Sequence, residues 1–392
     1  MPVNYLQIRS QIIEMGQGAR QREADLIQKR QQALDLLQAY AFHIDVLNQR
    51  IQQTLAVNTS LRCALPGEDP LTALFDPPVD APDHIILAAD GSQINPNFHD
   101  PVAFGVINVG AFRMSSPRLN EVPGEKVDSK LLLGDDDNES NEMSEEIVAL
   151  KRDLSERTFL AELSRQESLP VVALTDGPLE LFRDPKDRPE FQLLFNEYLH
   201  ALLKLAEYKT ATAGYVDRPR SDLLIRTLEL MILPESDLPQ AGKKRLLKPV
   251  SDADLFFHVL QPGQRTSVFG IQSLSATKFS GDLALHFFYL NVGLPGAPAI
   301  ARVEIPAWVS DDPILLSLLH ACLVNQCRVL GSRPFPYVLH RAHEVAVVHF
   351  EEKNEISSMI IHELNQQGQL VAGPSNKQAH KDESAIKKRY KR

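Results

Sequence analysis

The chain has 392 residues, 43% hydrophobic and 23% charged, the composition of a soluble globular protein of one large or two ordinary domains with a sizeable core. A formal net charge of −10 excludes a generic basic nucleic-acid coat, but not a nuclease with a local basic groove or one whose DNA is delivered by a partner. Three cysteines without framework spacing, Cys63, Cys322 and Cys327, exclude a disulfide scaffold; with no signal-peptide pattern and no bilayer-length apolar run, the expectation is a soluble, cytoplasmic protein with no membrane partner.

Residues 1–57 are rich in Gln, Arg and Leu and hold no proline after Pro2. Ile27, Leu34, Leu37, Ala41, Ile44, Ile51 and Leu55 recur roughly every 3.5 residues, with Arg30 and Asn48 interrupting the seam. The spacing predicts a long amphipathic helix. It is either half of a coiled-coil hairpin open to a partner or a helix packed on its own domain. Residues 64–84, with five prolines and several acids, read as a linker.

Five apolar residues, 85–89, then run into Asp90-Gly91-Ser92-Gln93. A short apolar run closed by a turn signal predicts a buried strand, with Asp90 at its end and Gly91 at a sharp bend. A free carboxylate there is costly unless neutralised, and a metal ion is one such partner. The plainer alternative is an ordinary Asp-Gly turn. A turn around Asn95-Pro96-Asn97 and an apolar segment at 102–112 complete a predicted hairpin. The acidic stretch 134–139 lacks the ligand spacing and glycine of a calcium loop and reads as solvated.

From about 142 to 167, Ile147, Leu150, Leu154, Leu160 and Leu163 recur at helical spacing. Residues 170–175 form a second strand, again closed by an Asp-Gly corner, Asp176-Gly177. A helix at 189–208 leads to a strand within 212–221 that ends in the basic corner Asp217-Arg218-Pro219-Arg220. Residues 222–232 are helical, 234–250 read as a surface insertion, and Ser251 caps a short helix with Asp254 three residues on. Strands follow at 266–271, 285–292 and 299–305, then an apolar helix at 313–330 that carries Cys322 and Cys327 as core residues. Two prolines make 334–339 extended, a helix spans 340–366, and the basic tail 373–392 reads as disordered, able to touch nucleic acid.

Chain order thus gives a strand-end carboxylate, a Glu-rich helix, a second strand-end carboxylate, a basic corner and a late histidine. Mg²⁺ and Mn²⁺ take oxygen ligands, and two such ions about 4 Å apart stabilise both oxygens of a phosphodiester displacement. A histidine can shuttle a proton or bind metal, and a basic corner can hold a backbone phosphate.

Five segments resemble the NurA nuclease family, across roughly 85–350. They are Leu87-Ala88-Ala89-Asp90-Gly91-Ser92; Leu174-Thr175-Asp176-Gly177; Gly214-Tyr215-Val216-Asp217-Arg218-Pro219-Arg220-Ser221; Arg302-Val303-Glu304-Ile305-Pro306; and Phe335-Pro336-Tyr337-Val338-Leu339-His340-Arg341-Ala342-His343. The last departs from the family pattern at Phe335 and Val338, and the central motif carries Arg218 where many members have lysine. The resemblance implies an α/β, RNase H-like mixed sheet flanked by helices, a Mn²⁺-dependent (or Mg²⁺-dependent) DNA nuclease and a hexameric HerA-type ATPase partner.

Carried over by position, Asp90 and Asp176 are metal ligands and His343 is the late catalytic histidine. The family's helix carboxylate is assigned to Glu156, on an apolar face with Phe159, Leu160 and Leu163, with Glu162 on a more polar face as the runner-up; Glu156 and His343 complete the expected metal ligands. Arg218, Arg220, Ser92 and Gln93 are the expected DNA contacts. Asp217 reads as a turn residue, and Arg302 and Glu304 as a structural pair or a functional one. The expected organisation is a helical extension (1–57), a nuclease domain (58–372) and a basic tail (373–392). The expected assembly is a homodimer engaged in DNA end processing or repair with the ATPase. A non-catalytic adaptor of the same fold and another metal-dependent phosphoryl hydrolase are the competing expectations.

Overall fold

The structure is a computed structural model that describes residues 3–97, 100–133, 144–181 and 189–368. The acidic stretch 134–139 and the tail 373–392 lie outside the described residues. Helices α1 (Tyr5–Gly16), α2 (Ala19–Ala39) and α3 (Ile44–Leu55) precede two short strands, β1 (Cys63–Pro66) and β2 (Leu74–Phe75). The centre is built by β3 (Ile85–Ile94), β4 (Phe104–Ser115), β5 (Gly124–Leu133), α4 (Glu145–Ser164), β6 (Val171–Asp176), α5 (Pro189–Glu207) and β7 (Ala211–Val216). Then come α6 (Leu223–Ile232), α7 (Asp252–Phe256), β8 (Arg265–Thr266), β9 (Phe269–Gln272), β10 (Leu285–Asn291) and β11 (Ile300–Pro306). Helices α8 (Ala307–Ser310), α9 (Pro313–Val329), α10 (Tyr337–Ala346) and α11 (Phe350–Gln366) close the described chain.

One mixed sheet runs in the order β1-β9-β10-β11-β7-β6-β3-β4-β5. β3, β4 and β5 form an antiparallel meander, and β6 and β7 join β3 in parallel through the crossovers α4 and α5. The remaining strands continue antiparallel from β7 outward. Both faces are covered, and the alternation along β3 shows it: Ile85, Leu87 and Ala89 join the core beneath α4 and α5, while Ile86 and Ala88 join the core beneath α9 and α10.

The predicted hairpin forms with Ile85 opposite Ser115, but β3 does not stop at Ala89. Its parallel pairing to β6 ends at Ala89 opposite Thr175, while its pairing to β4 continues to Ile94 opposite Val106. Asp90-Gly91 therefore lies within a strand, and the expected bend at Gly91 is absent. A different constraint excludes a side chain there: a Cβ on Gly91 would stand 2.6 Å from Arg152 Cγ and 2.8 Å from Glu156 Oε1. The second corner is a true turn, with Gly177 at φ +82°.

Other differences have equally local causes. The 64–84 stretch is not a free linker, because Cys63 and Ala64 are fully buried in an edge strand paired with β9. The 234–250 segment sinks Leu238, Leu247 and Val250 into the core. Residues 340–366 divide into two helices, since Val347 turns extended after α10. The capping box of Ser251 and Asp254 forms as expected. All three cysteines are buried and free. No described helix is long and apolar enough to cross a membrane.

The 1–57 segment is three helices rather than one. In α1 no residue is buried, and Tyr5, Leu6, Ile12, Ile13 and Met15 are exposed. From Ala33 onward the helices join the core through Ala33, Leu37, Leu47 and Ile51. Arg50 ties α3 to the end of α6 through the carbonyls of Leu230 and Leu233, at 3.0 and 2.6 Å.

Candidate active site

The sheet alternation sends Asp90 and Asp176 toward the α10 side and Gly91 toward α4. Because Gly91 has no side chain, Arg152 and Glu156 of α4 cross over it and meet Asp90, within β3, and Asp176, at the end of β6. The result is a cleft of about 430 Å³ that holds Asp90, Arg152, Asp153, Glu156, Asp176 and His343. His343 arrives because α10 lies almost on the sheet. Its approach depends on Gly110, the cross-strand partner of Asp90, where a Cβ would stand 2.5 Å from the Ala346 nitrogen. Ser92 Oγ donates to the Ala346 carbonyl, and Asn108 Nδ2 donates to the same oxygen at 2.8 Å. The C-terminal turn of α10 is thus pinned on β3 and β4.

His343 Nδ1 donates to Asp90 Oδ2 at 2.6 Å, and the Gly91 amide donates to Asp90 Oδ1 at 2.9 Å. Asp176 takes its own turn amide, Gly177 N, at 3.0 Å. Burial and then the nearby Asp90 carboxylate raise the Asp176 carboxyl above its ordinary value. Glu156 is 5% exposed, and burial pushes its carboxyl up to about 8 although Arg157, 2.6 Å away, opposes this. Arg157 in turn lies 5.7 Å from the centre of the Tyr198 ring, and the Tyr198 hydroxyl donates to the Leu179 carbonyl.

The loop after Asp176 is braced from below. Glu304 Oε2 accepts the amides of Leu179 and Glu180 at 2.8 and 3.1 Å, and Arg302 meets its other oxygen at 2.6 Å. Both residues are buried, so the Arg302–Glu304 pair supports the loop. Glu180 itself takes Arg62 in a two-pronged pair. Burial alone would raise Glu180, but Arg62 brings it below its ordinary value.

Asp90, Glu156, Asp176 and His343 thus come together, whereas Glu162 faces outward in a separate groove between α4 and α5. Ser92 and Gln93, expected as DNA contacts, are not among the residues lining the cleft: the Ser92 hydroxyl is engaged on α10, and Gln93 bonds Asn95 at 2.7 Å. Arg218 and Arg220 stand in a neighbouring cleft beyond the end of β7. Asp217 lies at the rim of that cleft, two residues after Tyr215, which pairs with Asp176. Sequence reasoning missed Arg152, Asp153 and Gly110. Arg152 stands one helical turn before Glu156, which is the signal that marks it. Gly110 sits in an apolar run, where nothing local distinguishes it.

Oxygen donors dominate this cleft, the chemistry of a hard cation such as Mg²⁺ or Mn²⁺. Among the described residues, no three His, Cys, Asp or Glu side chains are drawn together closely enough to hold a metal ion unaided. Mg²⁺ is characteristically held by one or two carboxylates, with waters and substrate phosphate completing its shell. Asp90 and Asp176, two carboxylates close enough to raise the proton affinity of one of them, fit that mode.

Among solved structures, the crystal structure of Drosophila Piwi is similar at 11% identity and a TM-score of 0.28. That match covers 67% of this chain and 29% of the Piwi chain. No curated protein matches. The family model for the NurA domain matches residues 84–348, which includes all five motif segments and every residue of the cleft. The chain therefore belongs to the NurA family.

Proposed function

We propose that this chain is a metal-dependent DNA nuclease that hydrolyses phosphodiester bonds as an exonuclease and a single-strand endonuclease. NurA proteins are a nuclease family associated with HerA. The observation that carries the reading is the convergence of Asp90, Glu156, Asp176 and His343 from four separate elements on one cleft. The meander β5-β4-β3 followed by parallel β6 and β7, with helical crossovers, supports an RNase H-like core.

Asp90 and Asp176 would hold Mn²⁺ or Mg²⁺, with Glu156 at the inner wall. The cation supplies charge neutralisation at the scissile phosphate and a more acidic attacking water. His343 is held by Asp90 through Nδ1, which fixes the ring and leaves Nε2 free to carry a proton. Its side chain is 66% exposed, so that proton exchanges with solvent. Arg152 offers a guanidinium beside the carboxylates, where a phosphate oxygen would approach. The protein works as a homodimer with a HerA-type ATPase in DNA end processing or repair, since a chain of net charge −10 captures DNA weakly by itself.

The competing reading, a non-catalytic adaptor of the same fold, draws its support from the lack of a three-donor group among the described residues. Purified protein assayed on single- and double-stranded DNA with Mn²⁺, Mg²⁺ or EDTA separates the two. Cleavage that requires the cation is expected. No cleavage with either metal, or cleavage indifferent to EDTA, overturns the nuclease reading.

A further inference from the structure

A second cleft, of about 890 Å³, opens where the strand after the catalytic corner ends. Its walls come from 217–220, 249–257, 297–300 and 332–335. Three arginines line it: Arg218, Arg220 and Arg333. The Arg218 side chain is 94% exposed and stands 4.0 Å from Asp217, too far for a strong pair. Arg220 and Arg333 are exposed, and neither is among the side-chain hydrogen bonds and ion pairs of the described residues. Of the two acids in the wall, Asp254 already accepts from the backbone and hydroxyl of Ser251. The cleft is therefore net positive on a chain that is net negative.

The backbone holds this arrangement under strain. Arg218 has φ +46°, a left-handed conformation that a long side chain adopts at a cost of roughly 1–2 kcal/mol. The neighbouring Pro219 is buried and fixes the corner. Opposite it, Phe335 packs edge-on against Tyr215 at 5.5 Å, which anchors the 332–335 wall to β7. Apolar surface is interleaved with the charge. Phe257 is 40% exposed, and Pro249, Pro298 and Pro334 flank the arginines.

Guanidinium groups alternating with an exposed aromatic and proline faces suit an unpaired nucleic-acid strand, whose phosphates and base faces are both available. A duplex hides its base faces and would leave Phe257 without a partner. The position fits as well. Tyr215 pairs in register with Asp176, and Asp217 at the cleft rim follows two residues later. Asp217 is near enough to Asp176 to act on its carboxyl, so the rim of this cleft stands beside the acidic one.

We propose that this cleft binds the unpaired flank of a DNA strand whose scissile phosphate sits in the acidic cleft, with Arg220 and Arg333 on phosphates and Phe257 stacked on a base. This rests on the nuclease reading for its direction, but it is tested by binding alone. The full chain in EDTA is titrated with fluorescent oligo-dT, a matched duplex and inorganic phosphate, at several salt concentrations. The unaltered chain should prefer oligo-dT to duplex. Phe257→Ala should weaken oligo-dT roughly fivefold or more, the scale of losing one stacked base. Arg220→Ala and Arg333→Ala should each weaken it and lower the slope of log K against log salt by about 0.7, one phosphate contact on a single strand.

All three residues are exposed, so the variants keep the unaltered Tm. Binding unchanged in all three variants, a preference for duplex, or no binding of oligo-dT at low salt overturns the proposal. Loss of oligo-dT binding in the variants supports it even if no DNA is ever cut, a result that would count against the nuclease reading alone.

Discussion

His343 Nδ1 lies 2.6 Å from Asp90 Oδ2, across 253 positions of sequence. The pair joins α10 to β3, the strand that links the antiparallel meander to the parallel part of the sheet. Neither partner carries much of the core. Asp90 is held by one amide, and the His343 ring is mostly outside.

The first prediction concerns the carboxylates. Asp90→Ala and Asp176→Asn should each lower cleavage by more than about 100-fold, the scale on which removing one stabilising group from an active site acts. Asp176 has a raised carboxyl, so its ionised form is disfavoured in the folded state. Asp176→Asn should therefore leave Tm at pH 7 unchanged or higher. A steep fall in Tm for that variant would mean that Asp176 serves the fold instead.

Acid should silence the enzyme early. The raised Asp176 carboxyl competes for protons with any cation bound there. Activity should begin to fall at a higher pH than an ordinary aspartate would give, and more Mn²⁺ should push that acid limb downward. An acid limb that ignores Mn²⁺ concentration would separate Asp176 from the metal.

Stability has its own acid limb, set far from the cleft. Burial holds His320 down at about 4, with Nε2 donating to the Gly263 carbonyl at 2.7 Å. Its folded value lies below the unfolded one near 6.5, so between them the unfolded chain takes a proton that the folded chain refuses. Stability contributed by His320 is thus full above pH 6.5 and is lost as pH falls toward 4, at up to about 1.4 kcal/mol per pH unit. His320→Gln keeps a donor for Gly263 and should flatten that slope in urea unfolding between pH 7 and 5. An unaltered slope would count against this account.

The two glycines that make room for α4 and α10, Gly91 and Gly110, should respond differently to alanine. At Gly110 the added Cβ meets backbone of α10, which cannot move without carrying His343 away. Gly110→Ala should cost roughly 1–3 kcal/mol and most of the activity. At Gly91 the obstacle is the flexible Arg152 side chain together with Glu156. Gly91→Ala should lower activity with a smaller change in urea midpoint. Equal midpoints for the two variants would show that α10 does not rest on Gly110.

Truncation should divide the N-terminal helices. A chain begun at residue 19 loses only α1, which buries nothing, and should keep its Tm. A chain begun at residue 58 loses Leu37, Leu47 and Ile51 from the core, each on the scale of a 2–5 kcal/mol large-to-small change. That chain should show no cooperative unfolding transition by circular dichroism, and a sharp one would place a domain boundary at residue 57.

Much of the centre was legible because its strands are fully buried and apolar, as at 85–89 and 171–175. The helix carrying Glu156 was legible for a related reason, since its inner face repeats at 3.6 residues. Strand β5 was not, because only Leu132 of its ten residues is buried and its pairing comes from the β4 backbone. The seam of residues 27–55, interrupted only by Arg30 and Asn48, reads as one helix, yet the chain turns at Tyr40–His43 and its apolar residues serve different neighbours. The Asp-Gly corners looked alike in sequence and are unlike in space. One glycine turns the chain, while the other clears room for a helix 61 residues further on, counting from Gly91 to Arg152. Local pattern reports the first kind of constraint and has no access to the second.

The distance in sequence between Asp90 and His343 also has a meaning in time. A chain emerging from the ribosome exposes Asp90, then Glu156, then Asp176, long before β10, β11 and α10 exist to complete the sheet and bring the imidazole. The candidate site therefore cannot close until α10 has been made, and an interrupted product that lacks α10 carries the clustered carboxylates without the imidazole that meets them.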